Sequence, residues 1–242
     1  MRTGIGTIEA IFRYPVKSMR SEALAIAMLG WHGLEGDRRL ALRRRAKQGD
    51  FHWLTASKLP ELVLYAPVHR EAGRALPTHV VTPDGKELPI FEEQLADEIG
   101  RLCGEPVELT HLNHGIFDEA SISVITCDTV REVCRLAETG MDIQRFRPNI
   151  VVRSARATPF EEDAWVGGLL TFGEAEDAPA VAATLRDARC AMVCIDPDTG
   201  KRNPDVLKAV VRANGNNAGI YGTVVRTGTL AVGQNVFLHR WR

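Results

Sequence analysis

Short apolar-rich runs, separated by turn signals, make up most of the first ninety residues of this chain. Residues 6–14, 23–29, 39–43, 62–68 and 79–82 follow that pattern and predict strands. Pro83-Asp84-Gly85-Lys86 reads as a tight turn, because proline presets φ and glycine accepts a positive φ. From residue 91 the period changes. Phe91, Leu95, Ile99 and Leu102 recur three or four apart, with Glu92, Glu93, Asp97 and Glu98 opposite, which predicts a surface helix over 91–103. A second helix is predicted over 127–138, burying Val130, Val133, Cys134 and Ala137. The third carries its own punctuation, with Asn203 as N-cap, Pro204 at the first helical position and Gly215 just past the end. Further strands are predicted at 122–126, 150–153, 169–172, 190–195, 223–226 and 235–239, and the acidic, alanine-rich 174–183 as an exposed loop.

Many short strands with few helices predict a β-rich α+β protein of the barrel or sandwich type, divided into residues 1–90 and 91–242. At 242 residues the chain can bury a substantial core as one large domain or two interleaved small ones. Lys plus Arg (30) nearly balance Asp plus Glu (31), so no global field favours nucleic acid or an anionic membrane, and any electrostatic selectivity must be local. No stretch approaches the ~20 apolar residues of a membrane-spanning helix. The N-terminus carries no basic-then-apolar leader pattern, so no signal peptide is expected. Five cysteines without framework spacing point to reduced thiols and a cytoplasmic protein.

Candidate chemistry concentrates in Arg189-Cys190-Ala191-Met192-Val193-Cys194-Ile195-Asp196-Pro197-Asp198-Thr199-Gly200. A cation beside a thiol raises its thiolate fraction, which nucleophiles and soft-metal ligands both require. On a strand, Arg189 and Cys190 point to opposite faces, so the arginine acts on the thiol only if the chain bends there. Cys194 on the same strand would lie about 13 Å from Cys190 at ~3.3 Å per residue, too far to share a metal or a disulfide, and reads as packing. The alternative for Cys190 is an inert core thiol, since cysteine is among the most buried residue types. Two distant segments add cations. Lys17 lies in Tyr14-Pro15-Val16-Lys17-Ser18. Arg147 is bracketed by Phe146 and Pro148, with Asn149 beside it, an apolar frame suited to bidentate phosphate or carboxylate binding. Gly36-Asp37-Arg38 places another arginine after a turn. Arg43-Arg44-Arg45 reads as a solvated strand end. Cys103, His111 and His114 lack zinc-ligand spacing, and the histidines are expected in a surface loop.

Taken in order, these segments resemble the MOSC family, in particular its amidoxime-reducing members with an N-terminal MOSC β-barrel domain. The matching stretches are residues 14–18, 36–38, Thr55-Ala56 with Pro60 and Leu62, 146–151, 189–200, and Gly228-Thr229-Leu230 with Val232-Gly233. The resemblance implies a MOSC-type β-barrel core with a few flanking helices and an N-terminal β-barrel-like subdomain. It implies a molybdenum–molybdopterin cofactor, with Cys190 as the thiolate on the metal. Lys17, Ser18, Arg38, Arg147, Asn149 and Arg189, together with Ser121, would hold the pterin and its phosphate. It also implies reduction of N-hydroxylated or N-oxygenated small molecules, with electrons from separate ferredoxin- or cytochrome-type proteins and a reductase, since no iron–sulfur domain is appended. The sequence departs from the family pattern at Ala188, at Ser57 and through residues 118–121. A sulfur carrier, with a persulfide on Cys190, needs the same activated thiol and is the alternative. A cofactor carrier without turnover is a third reading.

Overall fold

The computed structural model describes residues 2–45, 52–71 and 75–240. The N-terminal part contains β1 (Arg2–Arg13), β2 (Glu22–Leu24), β3 (Ile26–Gly30), β4 (Gly33–Leu34), β5 (Leu40–Arg44), β6 (Ala66–Val68), β7 (His79–Val81) and β8 (Glu87–Pro89). It continues through helix α1 (Glu93–Cys103) into β9 (Val107–His111). The remainder runs β10 (Ile122–Thr126), α2 (Cys127–Leu136), β11 (Ile150–Ser154), β12 (Leu169–Phe172), β13 (Ala180–Ala188), α3 (Pro204–Asn214), β14 (Asn217–Arg226), β15 (Gly228–Ala231) and β16 (Asn235–His239). No helix among the described residues is long and apolar enough to cross a membrane.

Seven strands close into a barrel in the order β11-β10-β14-β13-β12-β16-β1, and β1 returns to pair with β11. One long strand makes the closure possible. Arg2 to Thr7 of β1 pair with β16, whereas Gly6 to Ile11 pair with β11. Gly6 sits where the two pairings overlap. Its φ is +154°, and a Cβ there would lie 2.1 Å from the Arg153 carbonyl oxygen, so only glycine permits the approach. The barrel therefore draws its first strand from the N-terminal ninety residues.

Strand alternation sorts the side chains into two cores. Ile122, Val124, Ile150 and Val152 point into the barrel with Ile8, Leu170, Phe172, Ile220 and Leu238. Their neighbours Ile125 and Val151 point outward onto α2 and α3, among Val130, Val133, Cys134, Val206 and Val210. A third core gathers Val16, Met19, Leu40, Leu42, Leu62, Val80, Leu95 and Ile99 around β5 and α1.

The helix signals hold closely. Thr126 caps α2 by accepting from Thr129 N at 3.2 Å, and Val130, Val133, Cys134 and Ala137 are all buried as predicted. Asn203 caps α3 by accepting from Asp205 N at 3.1 Å, and Gly215 ends it with φ 57°. Six expectations need correction. Residues 190–195 are not a strand: Ala191–Cys194 form a 3-10 turn. Residues 62–68 begin in another such turn, Pro60–Leu64, because proline starts a helical turn readily and cannot donate to a ladder. Residues 174–183 are not all loop, since Ala180, Val181 and Ala183 are buried in β13. Phe91 and Leu102 are half-exposed, so α1 buries only Leu95 and Ile99. His111, expected in a loop, ends β9. Arg44, expected to be solvated, is buried beside Glu105.

Candidate functional site

A cleft of about 400 Å³ opens between the barrel and the third core. Loops from both sides line it. Lys17 and Ser18 follow β1, Arg38 precedes β5, and Thr55 and Ser57 come from the segment before Pro60. Asp118, Glu119 and Ser123 enter around the start of β10, and Arg147 precedes β11. Asp187 to Cys190 leave the end of β13, and Tyr221 comes from β14. Ser18 (φ 71°), Arg38 (φ 49°) and Arg147 (φ 50°) all hold the left-handed backbone conformation that non-glycine residues avoid. Three such positions in one cleft mark a site whose surroundings over-determine its geometry.

Asp37 is the hub beneath these cations. It is fully buried and accepts from Tyr14 N (2.7 Å), Arg38 Nη1 (2.5 Å) and Asn149 Nδ2 (3.0 Å). Asn149 in turn donates from Nδ2 to the Phe12 carbonyl at 3.3 Å and accepts from Ser123 N at 3.2 Å. It ties β1 to β10 from behind the cleft and does not line it. The Tyr14 ring receives both guanidiniums, with Arg147 Cζ 4.2 Å and Arg38 Cζ 4.6 Å from its centroid. Burial pushes the Tyr14 phenol up to about 12, with Arg147 and Arg38 pulling the other way.

The cations are only partly neutralised. Arg147 Nη1 donates to the Met19 carbonyl at 2.9 Å, while its Nη2 is buried without a hydrogen-bond partner. Burial lowers the Arg147 guanidinium to about 10, and the Arg38 charge adds to the effect. Lys17 Nζ is buried at the cleft wall and donates to Asp118 Oδ1 at 2.6 Å and to the Ile116 carbonyl at 3.2 Å. Burial also pushes Lys17 down, opposed by Asp118. The Asp118 side chain is 76% exposed. Desolvation would raise its carboxyl, but Lys17, Arg38 and Arg147 outweigh that and hold it below the usual carboxylate range. Arg145 also reaches the cleft and is spent on Asp142 and Asp196.

At the other end, Arg189 is buried and braced in three directions. Its Nε donates to the Ala218 carbonyl and its Nη1 to the Phe146 carbonyl, both at 2.7 Å. Nη2 lies 2.8 Å from Asp187 Oδ2, off the donor axis, so that pair is ionic contact without a well-aimed hydrogen bond. Asp187 Oδ2 also accepts from Ser123 Oγ at 3.1 Å. Burial pushes the Asp187 carboxyl up, opposed by Arg189, and pushes the Tyr221 phenol up as well. The chain bends sharply after β13, so Cys190 precedes a 3-10 turn and its thiol stays exposed in the cleft. Cys194 is buried against α2 and α3, where it packs.

Lys17, Ser18, Arg38, Arg147, Arg189 and Cys190 thus share one cleft, from segments up to 173 residues apart in sequence. Ser121 does not line it. The Ser121 carbonyl instead faces Gly33, 2.8 Å from where a Cβ would sit. Sequence reasoning passed over Asp37, Ser123, Asp187, Tyr221 and the part played by Asp118. Asp37 lay inside a singled-out motif. The others carry no local signal: Ser123 meets Asp187 64 residues away, and Asp118 meets Lys17 101 residues away.

Two family models match the chain. Residues 5–98 match the model for the MOSC N-terminal β-barrel domain, and residues 111–237 match the model for the MOSC domain. A curated relative, mitochondrial amidoxime reducing component 2 of Bos taurus, is 30% identical over 133 residues. That alignment covers 50% of this chain and 37% of the relative, so the chain spans well under half of that protein's length. The YUAD protein of Bacillus subtilis, a solved structure, is 15% identical with a TM-score of 0.54, covering 100% of this chain and 99% of its own; it supports the fold alone. A weaker likeness to YiiM from Geobacillus stearothermophilus, 17% identical over 50% of this chain and 54% of the other, has a TM-score of 0.39.

Proposed function

Because the chain belongs to the MOSC family, with the N-terminal β-barrel domain ahead of the MOSC domain, we propose that its cleft binds a molybdenum–molybdopterin cofactor. We further propose that the loaded protein reduces N-oxygenated small molecules. One observation carries the reading: an exposed thiol, Cys190, shares its cleft with Arg147, whose Nη2 is a buried donor with no partner in the protein. Leaving such a donor unsatisfied costs about 1–3 kcal/mol, so an anionic ligand is the natural acceptor.

The residues present fit the group. Cys190 offers a soft sulfur ligand at the open end of the cleft. Lys17, Arg38, Arg147 and the backbone at Ser18 suit a phosphorylated tail, and Arg189 with Asp187 fixes the turn that presents Cys190. Asn149 acts by positioning, since it holds Arg38, Asp37 and Ser123 rather than facing the cleft. When bound, molybdenum supplies the redox chemistry that the protein side chains lack. The substrate gains two electrons and two protons and loses its oxygen as water. Ferredoxin- or cytochrome-type donor proteins with their reductase supply the electrons. The amidoxime-reducing name of the bovine relative supports this substrate class.

The test is metal and pterin analysis of protein made with molybdate in a cofactor-producing host, wild type beside Cys190→Ser. Near-stoichiometric molybdenum in the wild type and its loss in the variant are expected, followed by turnover of N-hydroxylated amidines. Equal metal in both would remove Cys190 from the site. The exposure of Cys190 also suits a persulfide carrier. Cyanide-releasable sulfur on the wild type, with no metal in either protein, would establish that reading instead.

A further inference from the structure

A second cavity, of about 470 Å³, lies on the far side of the turn that carries Cys190. Its walls are Ala191 and Cys194 from the turn, Pro204, Leu207 and Val211 from α3, and the cations Arg202, Lys208 and Arg212. The 3-10 geometry explains the split. With three residues per turn, Ala191 and Cys194 fall on one side, whereas Cys190 and Val193 fall on the other and line the cleft. Along α3, Pro204, Leu207 and Val211 recur at helical spacing and form an apolar stripe about 10 Å long at 1.5 Å per residue. Val211 is 50% exposed.

Two hydrogen bonds brace the walls of the groove. Asn203 N donates to the Cys194 carbonyl at 2.7 Å, tying the cap of α3 to the turn. Arg202 lines the groove while its Nη2 donates to the carbonyl of Ser57, a cleft residue, at 2.6 Å. The charge around the apolar floor is one-sided. Three cations ring it, and the only acid in α3, Asp205, is already paired with Lys208 at 2.8 Å.

We propose that this groove binds the apolar body of an amphipathic anion, a hydrocarbon chain or ring ending in a carboxylate. The apolar stripe removes the chain from water, and Arg202 and Arg212 receive the carboxylate. A cationic chain of equal length gains the same apolar contact and meets like charge.

Isothermal titration with decanoate, decyltrimethylammonium and acetate tests the groove on protein without added cofactor. Decanoate is expected to bind at least about tenfold more tightly than decyltrimethylammonium, and acetate not measurably. Val211→Asp is expected to weaken decanoate about tenfold or more, and Arg212→Glu to erase the preference for the anion. Both positions are exposed, and thermal melts confirm that the variants fold. Equal affinity for the two chains, or undiminished decanoate binding by Val211→Asp, would overturn the proposal. Loss of decanoate binding leaves the cofactor reading standing, and absence of molybdenum leaves the groove standing, so the two failures are separable.

Discussion

Arg38 Nη2 donates to the backbone carbonyl of Arg147 at 3.0 Å, so one cation of the cleft fixes the left-handed backbone of the next. The two guanidiniums then share the Tyr14 ring, and Asp37 holds Arg38 from below. Two positive charges are thereby kept close together with one buried carboxylate between them. The Arg38 charge disfavours the charged form of Arg147, and an anionic ligand of the kind proposed would relieve that repulsion.

Arg147→Ala should weaken pterin retention by about 1.5–3 kcal/mol, the worth of a hydrogen bond to a charged group. Pterin occupancy after gel filtration measures it, and normal occupancy would mean that Arg147 serves only packing.

Glu162 predicts a pH effect on stability. It is completely buried at the N-terminus of α2, where it accepts from Thr126 Oγ1 and Thr129 Oγ1, both at 2.9 Å. Burial raises its pKa above the unfolded value, opposed by these hydrogen bonds. A carboxyl with a raised folded pKa binds its proton more tightly in the folded state. Its stabilisation is present below the unfolded pKa and fades as pH rises through the folded one. The melting temperature of the wild type, relative to Glu162→Gln, should therefore fall between acidic and neutral pH. A pH-independent difference would show that Glu162 keeps its ordinary pKa.

Gly219→Ala should disturb the Cys190 end of the cleft from behind. Gly219 has φ +89°, and a Cβ there would lie 2.8 Å from the Val124 carbonyl oxygen and 3.1 Å from Arg189 Nη2. The backbone strain alone is worth about 1–3 kcal/mol. The variant should melt earlier and, once folded, retain less metal. Wild-type stability would mean that β14 shifts to accommodate the methyl group.

How far the sequence could be read follows from how local each signal is. The caps of α2 and α3 are set by side chains reaching two or three residues along the chain, and that of α3 was legible in Asn203. The turn at Ala191–Cys194 was not. Its residues form a continuous apolar run, as a buried strand would, and only the departure of the chain from β13 and the packing of Cys194 on α3 select the 3-10 form. Asn149 was singled out for its hydrogen-bonding capacity, which is used, but by Asp37, Ser123 and Phe12 from behind the cleft.

The sequence by itself determined the β-rich character, the three helices with their ends, and the thiol and cations from which the site is made. Periodicity, capping and residue chemistry act over a few positions, so they survive without a fold. Tertiary structure alone decided that β1 would close a barrel with β11 and β16. It also decided that Lys17, Arg38, Arg147 and Arg189 would meet at one cleft, and that Asp37 and Asp187 would hold them there. Those outcomes depend on strand register and on burial across more than a hundred residues, where pairing partners compete and only the packed molecule settles which are kept.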